Sequence, residues 1–283
     1  ATYRRYRNLI TSYLMNQPAS LNSYTLNNGV QLVAFHPLIL GTFQNRMEKM
    51  NFIVDLVVTR HLTTFTHSVM VSYLAEAIGK HILAARPELL RIPSSYLEGN
   101  VYASPAEVLD YIVPAALFHD IGKNGMIPII NTQHRKLNDY EFNIIQTHPQ
   151  KGSDYLSSDP DFLIYQPVAL GHHRSYDGTR GYPLSFDNTA SPYRDAIDLI
   201  HICDCLDAAT DYLSRNYHRA KPFDVVLNEL KAGRGTEYNP DMVDVILSDR
   251  ELYNDLKMLT EQNRENIYYD IYLTFVNLRK KRQ

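Results

Sequence analysis

Cysteine is almost missing: Cys203 and Cys205 are the only two in 283 residues. Two apart in a helical pattern, their side chains point to different sides and cannot pair with each other. That excludes an internal disulfide and fits a reducing, cytoplasmic compartment. Long apolar runs are missing too. No stretch reaches the ~18 residues of a membrane span, so none is expected, and the opening residues show no leader pattern. An excess of positive charge is also lacking. The formal net charge is −3, which gives no global basic field for a nucleic-acid polymer. The basic clusters at the two ends, Arg4, Arg5 and Arg7 and then Arg279 to Arg282, read as solvated termini. Internal repeats and low-complexity tracts are absent. The first residue is not Met, which suggests a piece of a longer protein with an upstream regulatory domain.

What is present is an ordinary globular composition, 45% apolar, enough to bury a full core. Residues 1–43 differ from the rest. Asn27-Asn28-Gly29 between two short alternating runs makes a β-hairpin the candidate structure for 24–35. From residue 44 onward apolar positions recur at helical spacing, as in Met47, Met50, Ile53, Val54, Val57 and Val58. Further helices are expected near 65–85, 105–121, 139–146, 149–157, 160–172, 192–213, 222–232, 240–249 and 251–279. Pro87, Pro93, Gly99 and Pro105 mark 86–104 as a loop or irregular insertion. Leu252, Leu256, Leu259, Ile267, Ile271 and Phe275 give the last segment an apolar face, suited to packing on the bundle or to a homodimer. The expected fold is all-α, a helical bundle with a small N-terminal extension. The expected division is an extension over 1–43, a catalytic domain over 44–250 and a C-terminal helix over 251–283.

The chain has 11 histidines, and five of them fall into order with two aspartates. His67 stands near a helix start. His119-Asp120 ends a helix, His148 follows in Thr147-His148-Pro149, His172-His173 stand side by side, and Asp204 lies inside a helix. Each alone is more often a packed or surface side chain; the order and the helical context give them weight. Imidazole with carboxylate suits two divalent cations, iron or manganese, with zinc or cobalt as alternatives, over calcium. A carboxylate can bridge two metals, and Asp120 is the candidate. Two cations ~3.5–4 Å apart can hold a hydroxide and clamp both oxygens of a phosphoryl displacement.

These residues resemble the HD superfamily of metal-dependent phosphohydrolases, and more narrowly its HD-GYP branch, whose members hydrolyse cyclic dinucleotides, typically cyclic di-GMP. The resemblance runs through His119-Asp120-Ile121-Gly122-Lys123, Thr147 to Gly152, His172 to Pro183 and Ile202 to Thr210, with a looser match at Glu237 to Asp241. Gly181-Tyr182-Pro183 is the motif that names the branch. The resemblance implies that His67, His119, Asp120 and Asp204 hold one metal, and that Asp120, His148, His172 and His173 hold the other. It implies that Lys123 neutralises charge developing on the scissile phosphate. Arg174, Asp177, Tyr182 and Arg215 are the candidates for substrate contact. Tyr182 either packs on its loop or faces substrate, and Arg215, with Arg219 and Lys221, either meets phosphates or forms a solvated basic face.

Two positions depart from the family pattern. Arg174 stands where Glu is common, which reverses a charge. Thr63 stands where some members carry a Glu for a third metal, so two metals are expected. The leading function is hydrolysis of a cyclic dinucleotide by a metal-bridging hydroxide. The alternatives are another HD phosphohydrolase acting on a nucleotide, and a catalytically silent cyclic-dinucleotide sensor.

Overall fold

The computed structural model describes residues 40–60, 62–94, 101–126, 137–213 and 220–280. The candidate hairpin at 24–35 and Arg215 lie outside them. The all-α expectation holds: among the described residues there is no sheet, only isolated bridges such as Pro93 with Tyr102 and Arg174 with Gly181. No described helix is long and apolar enough to cross a membrane.

At the centre lies α2, Leu62–Ala85, after α1, Arg46–Arg60. Apolar residues run all round α2, which marks a helix enclosed by others. Met70, Val71, Leu74, Ala75, Ile78 and Ile82 are buried along it. Against it packs α3, Pro105–Phe118. Its start is set by a reciprocal cap: Ser104 accepts from the Glu107 amide, the Glu107 carboxylate accepts from the Ser104 amide, and Pro105 opens the first turn. The helix stops earlier than the expected 121. A tight 3-10 turn over Ile121–Gly125 follows, and this change of pitch leaves His119 and Asp120 at a helix end.

Three short helices follow, α4 at Asp139–Ile145, α5 at His148–Leu156 and α6 at Gln166–Gly171; α6 packs on α3 and on α5, and α5 packs on the 3-10 turn at the end of α3. The helix expected over 160–172 is confined to α6, preceded by a 3-10 turn at Leu163–Tyr165. The second long buried helix is α7, Arg194–Thr210, which packs on α2. Around it come α8, Phe223–Ala232, and α9, Pro240–Ser248, capped by the Asn239 side chain.

The C-terminal segment is helical but interrupted. It runs as α10, Arg250–Lys257, a π-helical turn at Met258–Gln262, and α11, Arg264–Lys280. The Asn263 amide donates to the Met258 carbonyl, 2.8 Å away, in place of an ordinary α-helical bond. The widened turn adds a residue to the period, so one uninterrupted helix over 251–279 is not what forms. Leu252, Leu256, Ile267 and Ile271 are buried, as their spacing suggested.

Candidate metal centre

Five separate segments bring the seven expected side chains to one point. His67 comes from the first turns of α2, His119 and Asp120 from the end of α3, His148 from the first residue of α5, His172 and His173 from just beyond α6, and Asp204 from the middle of α7. All but His173 are buried. Asp120 sits between two groups. Its Oδ2 lies 3.6 Å from His67 Nε2 and 3.5 Å from His119 Nε2. Its Oδ1 lies 3.1 Å from His148 Nε2 and 3.7 Å from His172 Nε2. Asp204 faces the first group, with Oδ1 3.0 Å from His67 Nε2, and its Oδ2 lies 3.6 Å from His173 Nδ1. Donor atoms of Asp120, His148, His172 and His173 cluster within 4.8 Å of one another, as do those of His67, His119 and Asp120.

Local backbone sets the imidazole tautomers. Nδ1 of His119 lies 2.6 Å from the Ala116 carbonyl, that of His148 2.7 Å from Ile145, and that of His172 2.9 Å from Ala169. A carbonyl only accepts, so each Nδ1 carries the proton and each Nε2 offers its lone pair to the centre. The same i−3 spacing repeats because each histidine follows a helical turn. Gly122 is required beside them: a Cβ there would lie 1.9 Å from the His148 carbonyl oxygen.

The electrostatics favour a ligand state. Burial alone would raise Asp120, but the charge of Lys123 and the nearby imidazoles of His119 and His148 hold it well below the usual carboxylate range. Burial is likewise overcome at Asp204, by its hydrogen bond with His67 and the charge of His173. Burial pushes His119, His172 and His173 below the usual imidazole range. Anionic carboxylates and neutral imidazoles are the forms that bind metal. His67 goes the other way: burial favours its neutral ring, yet hydrogen bonds with Asp204 and Asp207 lift it to about 9. His119 Nε2 is buried without a hydrogen-bond partner. Such an orphan is costly, and its convergence with the carboxylates and imidazoles of this cluster fits a divalent metal.

The remaining candidates divide. Lys123 Nζ donates to Asp120 Oδ2 at 2.5 Å and is partly exposed. Tyr182 is half-buried, its ring tilted against His173 with centroids 4.5 Å apart, at the edge of the centre. Arg174 corrects an expectation. It is buried, and its guanidinium donates to the carbonyls of Gly178 and Gly181, tying the loop to itself instead of reaching outward. Asp177 also serves the loop. Its Oδ1 accepts from the Thr179 amide, Ser175 Oγ and Thr179 Oγ1, bonds that lower it to about 2. Both residues are held by turn geometry that a charge count does not reveal. Gly181, at φ +85, lets this loop close: a Cβ there would lie 1.8 Å from the His173 carbonyl oxygen.

Two residues on α7 were passed over. Asp207 Oδ2 accepts from His67 Nδ1 at 2.7 Å. His201 donates from Nδ1 to the His172 carbonyl at 2.6 Å, and its Nε2 lies 3.3 Å from Glu237 Oε1. The signal for both was their position three residues either side of Asp204, on one face of a helix.

The HD domain family model matches residues 64–216. A cyclic di-GMP phosphodiesterase of Vibrio cholerae is 26% identical over 210 residues, 70% of this chain and 41% of that protein. The cyclic di-GMP phosphodiesterase response regulator RpfG of Xanthomonas campestris is 33% identical over 51% of this chain and 37% of its own length. A 3′3′-cGAMP-specific phosphodiesterase of Vibrio cholerae is 25% identical over 71% of this chain and 37% of its own length. The chain thus spans less than half the length of these relatives.

Proposed function

This chain belongs to the HD domain family, and from that premise we propose that it is a metal-dependent phosphodiesterase acting on a cyclic dinucleotide, cyclic di-GMP before others. The carrying observation is Asp120, whose two carboxylate oxygens face two separate histidine groups. In this reading His67, His119, Asp120 and Asp204 hold one divalent cation, and Asp120, His148, His172 and His173 hold a second. Iron or manganese suits the mixed imidazole and carboxylate set. When bound, the pair supplies Lewis-acid polarisation of the phosphoryl group and water of lowered pKa. The relatives' printed activities, on cyclic di-GMP and on 3′3′-cGAMP, support the substrate class. The near absence of cysteine supports a reducing, cytoplasmic setting.

The chain's own residues have distinct tasks. The Nδ1 bonds to Ala116, Ile145 and Ala169 hold three imidazoles in one tautomer and orientation. Lys123 and His173 keep part of their side chains exposed and mark the open side. There the Lys123 ammonium neutralises negative charge gathering on the phosphoryl oxygens as the 3′ oxygen leaves. Tyr182, anchored on His173, offers its ring to the substrate. Arg174, which reverses a charge of the family pattern, is engaged with its own loop.

Hydrolysis of cyclic di-GMP and 3′3′-cGAMP with manganese or ferrous iron supplied, followed by product chromatography, tests this. We expect turnover by the parent and none by Asp120→Asn, which also loses metal. Lys123→Ala should keep its metal and turn over ~100-fold more slowly, the scale of a lost charge-stabilising donor. A parent that binds metal and these ligands but cleaves neither is a sensor, and the enzyme reading fails.

A further inference from the structure

His67 differs from the other imidazoles in what holds it. His119, His148 and His172 lean on backbone carbonyls of their own helical turns, whereas His67 Nδ1 donates to a carboxylate, Asp207 Oδ2, 140 residues away. Asp207 is itself fully buried. Its second oxygen, Oδ1, accepts from Arg264 Nη1 at 2.7 Å. Arg264 is among the largest fully buried side chains of the molecule. Nη2 donates to Thr210 Oγ1 at 2.8 Å, Nε donates to the Thr260 carbonyl at 3.1 Å, and Asp211 Oδ1 lies 3.6 Å from Nη1. The fork therefore grips the end of α7 from two sides. Arg264 is the first residue of α11, directly beyond the π-helical turn, and it lies outside the residues 64–216 that match the family model.

We infer that Arg264 is a positioning residue for the metal centre: through Asp207 it fixes the ring of His67, so that the C-terminal segment controls affinity at the cation site His67 shares with His119. The chemistry is that of an outer carboxylate on a ligating imidazole. A carboxylate bonded to Nδ1 orients the ring and makes Nε2 a better donor. A carboxylate held at one oxygen by a buried guanidinium keeps the other aimed at Nδ1, and a planar fork does this where a point charge does not. With Arg264 removed, Asp207 loses the guanidinium that holds its Oδ1, and His67 loses its register.

This inference rests on the metal-site reading above, and its readout is metal binding without substrate. Calorimetric titration of the full chain with manganese alone should show two events in the parent. Arg264→Gln should weaken one event by ~10–100-fold, the usual effect of losing such an outer partner, and leave the other in place. Arg264→Lys, which keeps charge but not the fork, should weaken the same event several-fold and serves if Gln prevents folding. Leu256→Ala, a buried change in the same segment, should lower Tm yet leave both events at parental strength. An Arg264→Gln or Arg264→Lys protein that folds and titrates like the parent overturns the inference, as does Leu256→Ala losing the same event. If the parent takes up no manganese, the metal reading falls and this inference with it. If the parent binds two ions but cleaves no cyclic dinucleotide, the enzyme reading falls and the role of Arg264 stands.

Discussion

Asp198 shows how a single buried side chain acquires a pH dependence that its own identity does not suggest. It lies on α7, buried, with Oδ2 accepting from Asn239 Nδ2 at 3.0 Å and Arg194 Nε 3.8 Å away. Burial outweighs both partners and lifts its carboxyl to about 7, against about 3.9 for an unfolded aspartate. A carboxyl raised by folding favours the folded state while protonated. Its contribution is complete below about pH 3.9 and is lost as pH climbs through about 7, a change of several kcal/mol at most. Asn in its place offers the same acceptor without the charge. We expect the Tm of Asp198→Asn to fall less than that of the parent between pH 5 and pH 8. Parallel Tm curves for the two proteins would show that Asp198 does not titrate in this window. The neighbouring Asp204, six residues on, is pulled in the opposite direction by His67 and His173. One helix thus holds two buried aspartates of opposite habit, and only their partners distinguish them.

The elements owe their ends to local chemistry, and the site depends on where those ends fall. Helix α3 starts at the Ser104 and Glu107 cap and delivers His119 and Asp120 at its other end, one and two residues past Phe118. Ser104→Ala removes one half of that cap. We expect a loss of about 1 kcal/mol, read as a fall of about 2 °C in Tm for a chain of this size, with the metal stoichiometry of the parent. A larger fall that also costs metal would mean that the cap sets the position of the far end, and not only the stability of the first turn. The GYP loop is ordered in a different way. Arg174, Asp177 and Ser175 close it from inside, and the turn after α8 docks on it through bonds from the Tyr176 and Asp177 amides to the Glu237 and Thr236 carbonyls. That places Tyr182 on the rim of the centre, on a scaffold with few free degrees of freedom.

For the whole molecule, the core carries an uncommon load of charge. Asp120, Asp204, Asp207 and Arg264 are all buried, and such groups destabilise a fold unless each is paired or coordinated. Asp207 has Arg264, while among the described residues Asp120 is paired with Lys123 and imidazoles and Asp204 with imidazoles. Cation binding should therefore act on global stability. Each site filled at a hundredfold excess over its Kd adds ~2.7 kcal/mol. Removing two such ions with a chelator should lower Tm on the order of 10 °C, and added manganese should restore it. A chelated protein that melts with the parent would show that the cluster is stable without metal.

The seven-residue constellation was legible in the linear chain because its logic is local: an adjacent His-Asp pair at a helix end, paired histidines after a short apolar turn, an aspartate inside a helix. Caps, turn residues and apolar spacing placed most helices for the same reason, since each rule spans only a few residues. The break at Met258–Gln262 escaped, because the apolar spacing of the last segment is compatible with one straight helix, and nothing in that spacing signals that the polar Thr260 and Arg264 are fully buried. Arg174 and Asp177, candidates for substrate contact in the sequence, tie their own loop, a role set by which carbonyls and amides the folded turn presents. Asp207 meets His67 across 140 positions and Arg264 across 57. No periodicity reaches that far. Such pairs exist only once α2, α7 and α11 have packed, because their distances follow from helix placement and not from spacing along the chain.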